Sequence, residues 1–233
     1  MQHTVDGQPL SVRLQNVQNR IRTAEILYGR IAGSVQLLAI SKTVPVPLIR
    51  EIAAYGQRRF GESYVQEALP KITDLHDLRL EWHFVGPLQS NKTRAVANHF
   101  DWVHSVSTAK VARRLHEQRP AGLPPLNICL QVNISHEASK SGADAADLLA
   151  LAQLVTGLEH LKLRGLMAIP EPDADPIGQR ERFRAVHDLY QMLQAAGFAL
   201  DTLSMGMSGD LEAAIAEGST LVRIGTALFG ERS

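Results

Sequence analysis

The sequence predicts an α/β fold, a single (β/α)8 TIM barrel with an additional N-terminal helix. Two observations carry that reading. Eight short apolar runs alternate with helix-periodic segments along the 233 residues, and repeated βα units close most simply into a barrel of parallel strands. Several of these runs are apolar throughout, as expected of strands covered on both faces. A doubly wound open sheet is the alternative. It usually carries a glycine-rich turn after its first strand, and "SKTVPVP" is nothing of the kind.

The elements follow in order. A helix of roughly Val12 to Ile31 precedes the first strand, Val35–Ser41, which Pro45 soon stops. A helix over Leu48–Tyr55 comes next, with Leu48, Ile49, Ile52 and Ala53 at i, i+1, i+4 and i+5. Further strands are expected at Arg59–Gly61, Trp82–Gly86, Trp102–Ser105, Asn127–Ile134 and Leu163–Ile169. Phe183, Val186, Leu189, Tyr190 and Leu193 then draw the buried stripe of a helix. Strand Leu203–Met207 runs into a helix starting near Asp210, with Leu211, Ala214 and Ile215 buried and Gly218 just past its end. Leu221–Gly225 is the eighth strand. The length is near the lower end for a barrel, so residues 1–233 are read as one domain.

Bulk composition narrows the function. Lysine plus arginine and aspartate plus glutamate number 24 each, so no net charge calls for nucleic acid or an anionic membrane. The one cysteine, Cys129, has no partner for an intrachain disulfide and suits a reducing cytoplasm. The N-terminus shows no secretory signal, and no stretch approaches the ~20 apolar residues of a membrane span. A soluble, cytoplasmic protein with no nucleic-acid or membrane partner is expected.

In a barrel, chemistry sits at the C-terminal strand ends. The residues there are unusually polar: Ser41-Lys42, Gly61-Glu62-Ser63, His83 to Gly86, His104-Ser105, Asn133, Met205 to Ser208 and Arg223 to Thr226. The last two units are the most specific. Ser208-Gly209 lies where a helix begins, and Gly225-Thr226 offers open amides and a hydroxyl, in the loops where barrels commonly hold phosphate. Arg223 has the opposite strand parity to Val222 and Ile224 and so faces the barrel mouth, unless an ion pair with a residue such as Glu62 claims it. Lys42 ends a buried strand, where a desolvated amine would favour its neutral, nucleophilic form. Lysine, arginine and a phosphate cradle together fit an aldehyde that is also a phosphate ester, pyridoxal 5′-phosphate (PLP).

The chain resembles the pyridoxal phosphate homeostasis proteins. The stretches that carry the resemblance are "LLAISKTVP", "RRFGESYVQEALPK", "EWHFVGPLQSNKTR", "LQVNISHEASKSG", "LRGLMAIP" and "LSMGMSGDLEAAIAEGSTLVRIGTALFG". It implies a barrel related to the N-terminal domain of alanine racemase, with Lys42 as the Schiff-base lysine and Arg223 facing the pyridine nitrogen. Ser208, Gly225 and Thr226 would hold the phosphate, with Ser204 and Met207 near the ring or its phosphate arm. The family usually has asparagine where this chain has Ser63. The implied protein is a monomer that holds PLP and delivers it through transient contacts with PLP-dependent apoenzymes, without robust turnover.

An arginine opposite the pyridine nitrogen leaves the ring a weaker electron sink. The alternative function is a low-efficiency PLP-dependent amino-acid racemase. Racemases of this lineage take their opposite-face base, a tyrosine, from a second domain that the resemblance does not extend to here. Tyr64 is the tyrosine nearest a strand end. A metal-dependent hydrolase is the third reading, and only His83 and His104 lie near strand ends as ligands. Both read more simply as hydrogen-bonded residues of the site or core. Lys92 reads as a helix start capped by Ser90 or Asn91, Lys140 as a solvated loop residue, and Glu171 to Pro176 as a loop able to act as a flap.

Overall fold

In the computed structural model, which describes residues 3–134, 142–171 and 175–231, eight parallel strands close into a barrel. They are β1 (Gln36–Ile40), β2 (Arg59–Glu62), β3 (Glu81–Phe84), β4 (Trp102–Val106), β5 (Leu126–Gln131), β6 (Leu161–Met167), β7 (Thr202–Ser204) and β8 (Leu221–Ile224). Each pairs with its neighbour in sequence, and β8 pairs with β1 to complete the ring, Arg223 opposite Leu38. All eight expected strands are present. Most stop one to three residues before their apolar runs do, so those residues become the loops of the mouth. Asn133 and Ile134, for example, lie beyond β5.

Strand parity sorts the side chains. Val222 and Ile224 join the large core between strands and helices, while Leu38, Ile40 and Leu221 pack together in a separate apolar cluster. Trp102, Cys129 and Met167 form a third cluster. Alternating layers of this kind fill small barrels. Burial pushes the Cys129 thiol up to about 12, which leaves it an inert core residue.

Helices cover the outside. The additional helix, α1 (Leu10–Leu27), buries Leu10, Leu14, Val17, Ile21 and Ala24 at helical spacing. It starts and ends earlier than its periodicity suggests, and a two-stranded ribbon, Thr4–Val5 with Gln8–Pro9, precedes it. α2 (Val46–Ala54) starts behind Pro45, and α3 (Val65–Asp74) follows β2. α4 (Thr93–His99) has Lys92 itself at its N-cap with no side-chain cap. Neither Ser90 nor Asn91 caps it. Ser90 contributes its carbonyl, which accepts from the Thr93 hydroxyl at 2.9 Å. α5 (Ala109–Gln118) and α6 (Leu148–Thr156) follow β4 and β5. Asp175 caps α7 (Pro176–Ala195), accepting from the amides of Ile177 and Gly178, and α7 buries Phe183, Val186, Tyr190 and Leu193. α8 (Leu211–Ala216) and α9 (Thr226–Phe229) complete the ring. Among the described residues no helix is long and apolar enough to cross a membrane. Lys140 and residues 172–174 of the expected flap lie outside the described residues.

Candidate functional site at the barrel mouth

Lys42 follows β1 in a turn whose next residue, Thr43, has φ 63°. A β-branched residue in the left-handed region is strained and must be held by its surroundings. The Thr43 amide donates to the Glu67 carboxylate at 2.5 Å. Lys71 binds the same carboxylate, the Ser41 carbonyl at 2.7 Å and Glu62 at 2.9 Å. The Ser41 hydroxyl donates to Glu62 at 2.6 Å. Residues on either side of Lys42 are thus tied to α3 through one buried ammonium and two carboxylates. Burial pushes the Glu62 carboxyl up, against the pull of Lys71. Nothing in the sequence reading pointed to Glu67 or Lys71, because their role depends on α3 folding back over the first loop.

Arg223 is 5% exposed and forms no ion pair with Glu62. Its Nη1 donates to the Ser204 carbonyl at 2.6 Å and the Ser204 hydroxyl at 3.0 Å, and its Nη2 to the Ala168 carbonyl at 2.9 Å. Neutral oxygens of β7 and the β6–α7 loop therefore hold the cation. Burial pushes its pKa down to about 10, partly offset by Asp210.

Gly206 shapes the loop after β7. It has φ 95°, and a Cβ there would meet the Ala214 Cβ at 2.5 Å. The Met207 amide donates to Asp210 at 2.5 Å, and the Ser208 hydroxyl accepts from the Ala227 amide at 3.3 Å, joining the last two loops. α1 braces both from behind. Arg20 donates to the Ser208 carbonyl at 3.0 Å and Arg13 to the Thr226 carbonyl at 2.9 Å.

These elements enclose a cavity of about 310 Å³, within the ~300–1,000 Å³ typical of small-molecule sites. Lys42, Met207, Ser208, Arg223, Gly225 and Thr226 all line it. Ser63, Gly209 and the apolar Ile40, Val85 and Ile169 complete the wall. Of the expected site residues, only Ser204 does not line it. Fully buried, it stands behind Arg223 and accepts a hydrogen bond from it. Tyr64 is exposed and is not part of the lining. His83 and His104 are buried and hydrogen-bonded to each other, and among the described residues no group of histidine, cysteine or carboxylate side chains could hold a metal.

The sequence pattern of the alanine racemase N-terminal domain matches residues 12–233. The chain is 58% identical over 223 residues to the pyridoxal phosphate homeostasis protein of Pseudomonas aeruginosa, across 96% of each chain. It is 51% identical over 222 residues to the protein of that name from Escherichia coli, across 94% of this chain and 95% of the other. The chain belongs to the pyridoxal phosphate homeostasis protein family. Among solved structures, PipY of Synechococcus elongatus with PLP bound is 39% identical, with a TM-score of 0.83 over 95% of this chain and all of that one. Alanine racemase of Corynebacterium glutamicum shares the barrel at 15% identity and a TM-score of 0.66, over 94% of this chain and 61% of its own. The homeostasis-family chain thus has the racemase barrel fold.

Proposed function

We propose that this chain holds PLP at the barrel mouth, bound as a Schiff base to Lys42, and passes it to PLP-dependent apoenzymes without robust turnover of its own. The observation that carries the reading is the convergence of Lys42, Arg223 and the last two loops on one cavity. The donor set matches the chemistry of the group. PLP brings an aldehyde, a ring nitrogen with a lone pair, and a phosphate. The Lys42 amine serves the first and the Arg223 guanidinium the second. Ser208, Gly225 and Thr226 offer hydroxyls and amides to the third, and Met207 flanks the ring. The close relatives' shared name, and PLP in PipY, support the same ligand.

The chain's own residues set how the group is held. Arg223 keeps its charge because carbonyls and a hydroxyl satisfy it, so a ring nitrogen placed against it would face a donor and would stay unprotonated. Ile40, Val85 and Ile169 line the same cavity as Lys42 and give its wall an apolar part. Lys42 is the only residue of the described lining able to act as a base, and racemisation by two bases needs a second on the opposite face. This favours holding over turnover.

Borohydride reduction of the PLP-loaded protein, followed by peptide mapping, tests the reading. Pyridoxyl label is expected on the peptide containing Lys42 and is lost in Lys42→Ala. A protein that stays colourless and unlabelled after added PLP overturns it. Cα proton exchange of amino acids in deuterated water, at enzyme-like rates and dependent on Lys42, would overturn the holding role in favour of a racemase.

A further inference from the structure

Arg223 is one end of a hydrogen-bonded chain that crosses the barrel interior. Its Nη1 donates to the Ser204 hydroxyl, and Ser204 Oγ lies 2.9 Å from Nδ1 of His104. β4 and β7 are not neighbours, so this bond spans the lumen. Nε2 of His104 lies 2.9 Å from Nδ1 of His83, whose Nε2 lies 2.7 Å from Glu81. Glu81 also accepts from Arg59 at 3.1 Å, and Arg59 donates to Gln36 at 2.8 Å. These last three residues open the first three strands and line a cavity of about 500 Å³ on the opposite face. The chain therefore runs from the mouth to solvent at the other end.

Its direction can be deduced. The hydrogen bond from His83, with the added pull of Arg59, holds the Glu81 carboxyl below its usual range, so it is an acceptor only. Nε2 of His83 must then carry a proton. Burial holds His83 below the usual imidazole range although Glu81 and Asp101 pull it up, Arg59 adding to the lowering. His104 is lower still, from burial reinforced by His83 and Arg223. Both rings are neutral at neutral pH, so Nδ1 of His83 is an acceptor. Nε2 of His104 must donate to it, which leaves Nδ1 of His104 to accept the Ser204 hydroxyl proton. Ser204 then turns lone pairs, not its proton, toward Arg223.

We propose that His83 and His104 are positioning residues for Arg223, forming a one-way relay whose polarity is set by Glu81 on the far face of the barrel. The relay removes the rotational freedom of the Ser204 hydroxyl and so holds the guanidinium in one orientation at the mouth. A proton added at His83 reverses the polarity. His104 then carries its proton on Nδ1 and aims it at Ser204, whose hydroxyl loses its acceptor. What Arg223 faces rests on the function proposed above; the relay itself does not.

The test uses the ligand-free protein. Imidazole-nitrogen NMR at neutral pH is expected to show both rings neutral, with the proton on Nε2, because burial holds both below the usual imidazole range. Distinct Arg223 guanidinium N–H signals are expected in the wild type. In Glu81→Gln the histidines should populate the other tautomer together, and the Arg223 signals should average. Ser204→Ala should average the Arg223 signals and leave the histidine tautomers unchanged. A proton on Nδ1 of His104 in the wild type, a ring charged at neutral pH, or Arg223 signals indifferent to both variants overturns the relay. In PLP titrations, Glu81→Gln should weaken binding about fivefold, the worth of roughly one hydrogen bond. A wild type that takes up no PLP refutes the proposed function, and the ligand-free spectra still decide the relay.

Discussion

Arg20, on a helix outside the barrel, donates to the backbone carbonyl of Ser208 at 3.0 Å while binding Glu212 with two nitrogens at 2.8 and 2.9 Å. The helix before the first strand thus fixes the loop after the seventh. α1 is part of the site's scaffold as well as a cover for the barrel.

Arg20→Ala should therefore loosen the Ser208 loop more than it destabilises the fold. The pair with Glu212 is partly exposed and is worth at most about 1 kcal/mol. A small drop in thermal midpoint with a severalfold loss of PLP affinity is expected by calorimetry and fluorescence titration. Equal affinity in wild type and variant would show that the brace does not reach the site.

Lys71 holds Ser41, Glu62 and Glu67 together around Lys42. Removing it leaves Glu62 buried beside no cation, and breaking one side of a buried pair costs about 3–5 kcal/mol. Lys71→Met should lower the unfolding free energy extrapolated from urea denaturation by that amount. Adding Glu62→Gln should recover part of the loss. No recovery would mean that the lysine stabilises by packing alone.

Gly206→Ala places a side chain where φ is 95° and the new Cβ meets Ala214 at 2.5 Å. Left-handed strain plus overlap should cost about 1–3 kcal/mol and displace Met207 and Ser208. A variant with unchanged stability and unchanged PLP binding would contradict the geometry.

Glu217 gives the stability of the α7–α8 contact its pH dependence. Burial alone would raise its pKa, but hydrogen bonds from Arg184 and Arg180 outweigh this and hold it below the usual range. A carboxyl depressed in the folded state stabilises above its unfolded pKa of about 4.3, and that contribution is lost as pH falls through the lower folded value. The stability gap between wild type and Glu217→Gln should be constant at neutral pH and close on acidification below about pH 4. A gap that widens there would reverse the assigned sign.

The barrel was legible in the sequence because its signal is local. Each apolar run and each stripe such as Phe183, Val186, Tyr190 and Leu193 reports burial from spacing alone. The mouth was legible for the same reason. The barrel rule maps strand ends to the mouth, so Lys42, Met207, Ser208, Arg223, Gly225 and Thr226 could be gathered before any coordinate was known. The parity of Arg223 against Val222 and Ile224 told which way it points, but not what holds it.

Only the tertiary structure decided the partners of those residues. Arg223 pairs with Ser204 and Ala168 and leaves Glu62 to Lys71; Arg13 and Arg20 reach the last two loops from α1; His104 meets Ser204 across the lumen. All but the Glu62–Lys71 pair join residues far apart in sequence, and no periodicity carries that information. Closing the sheet into a ring brings strands 1 and 8 side by side and lets strands 4 and 7 share one interior. Buried polar groups then take whichever partner the closed space offers, since leaving one unsatisfied costs about 1–3 kcal/mol.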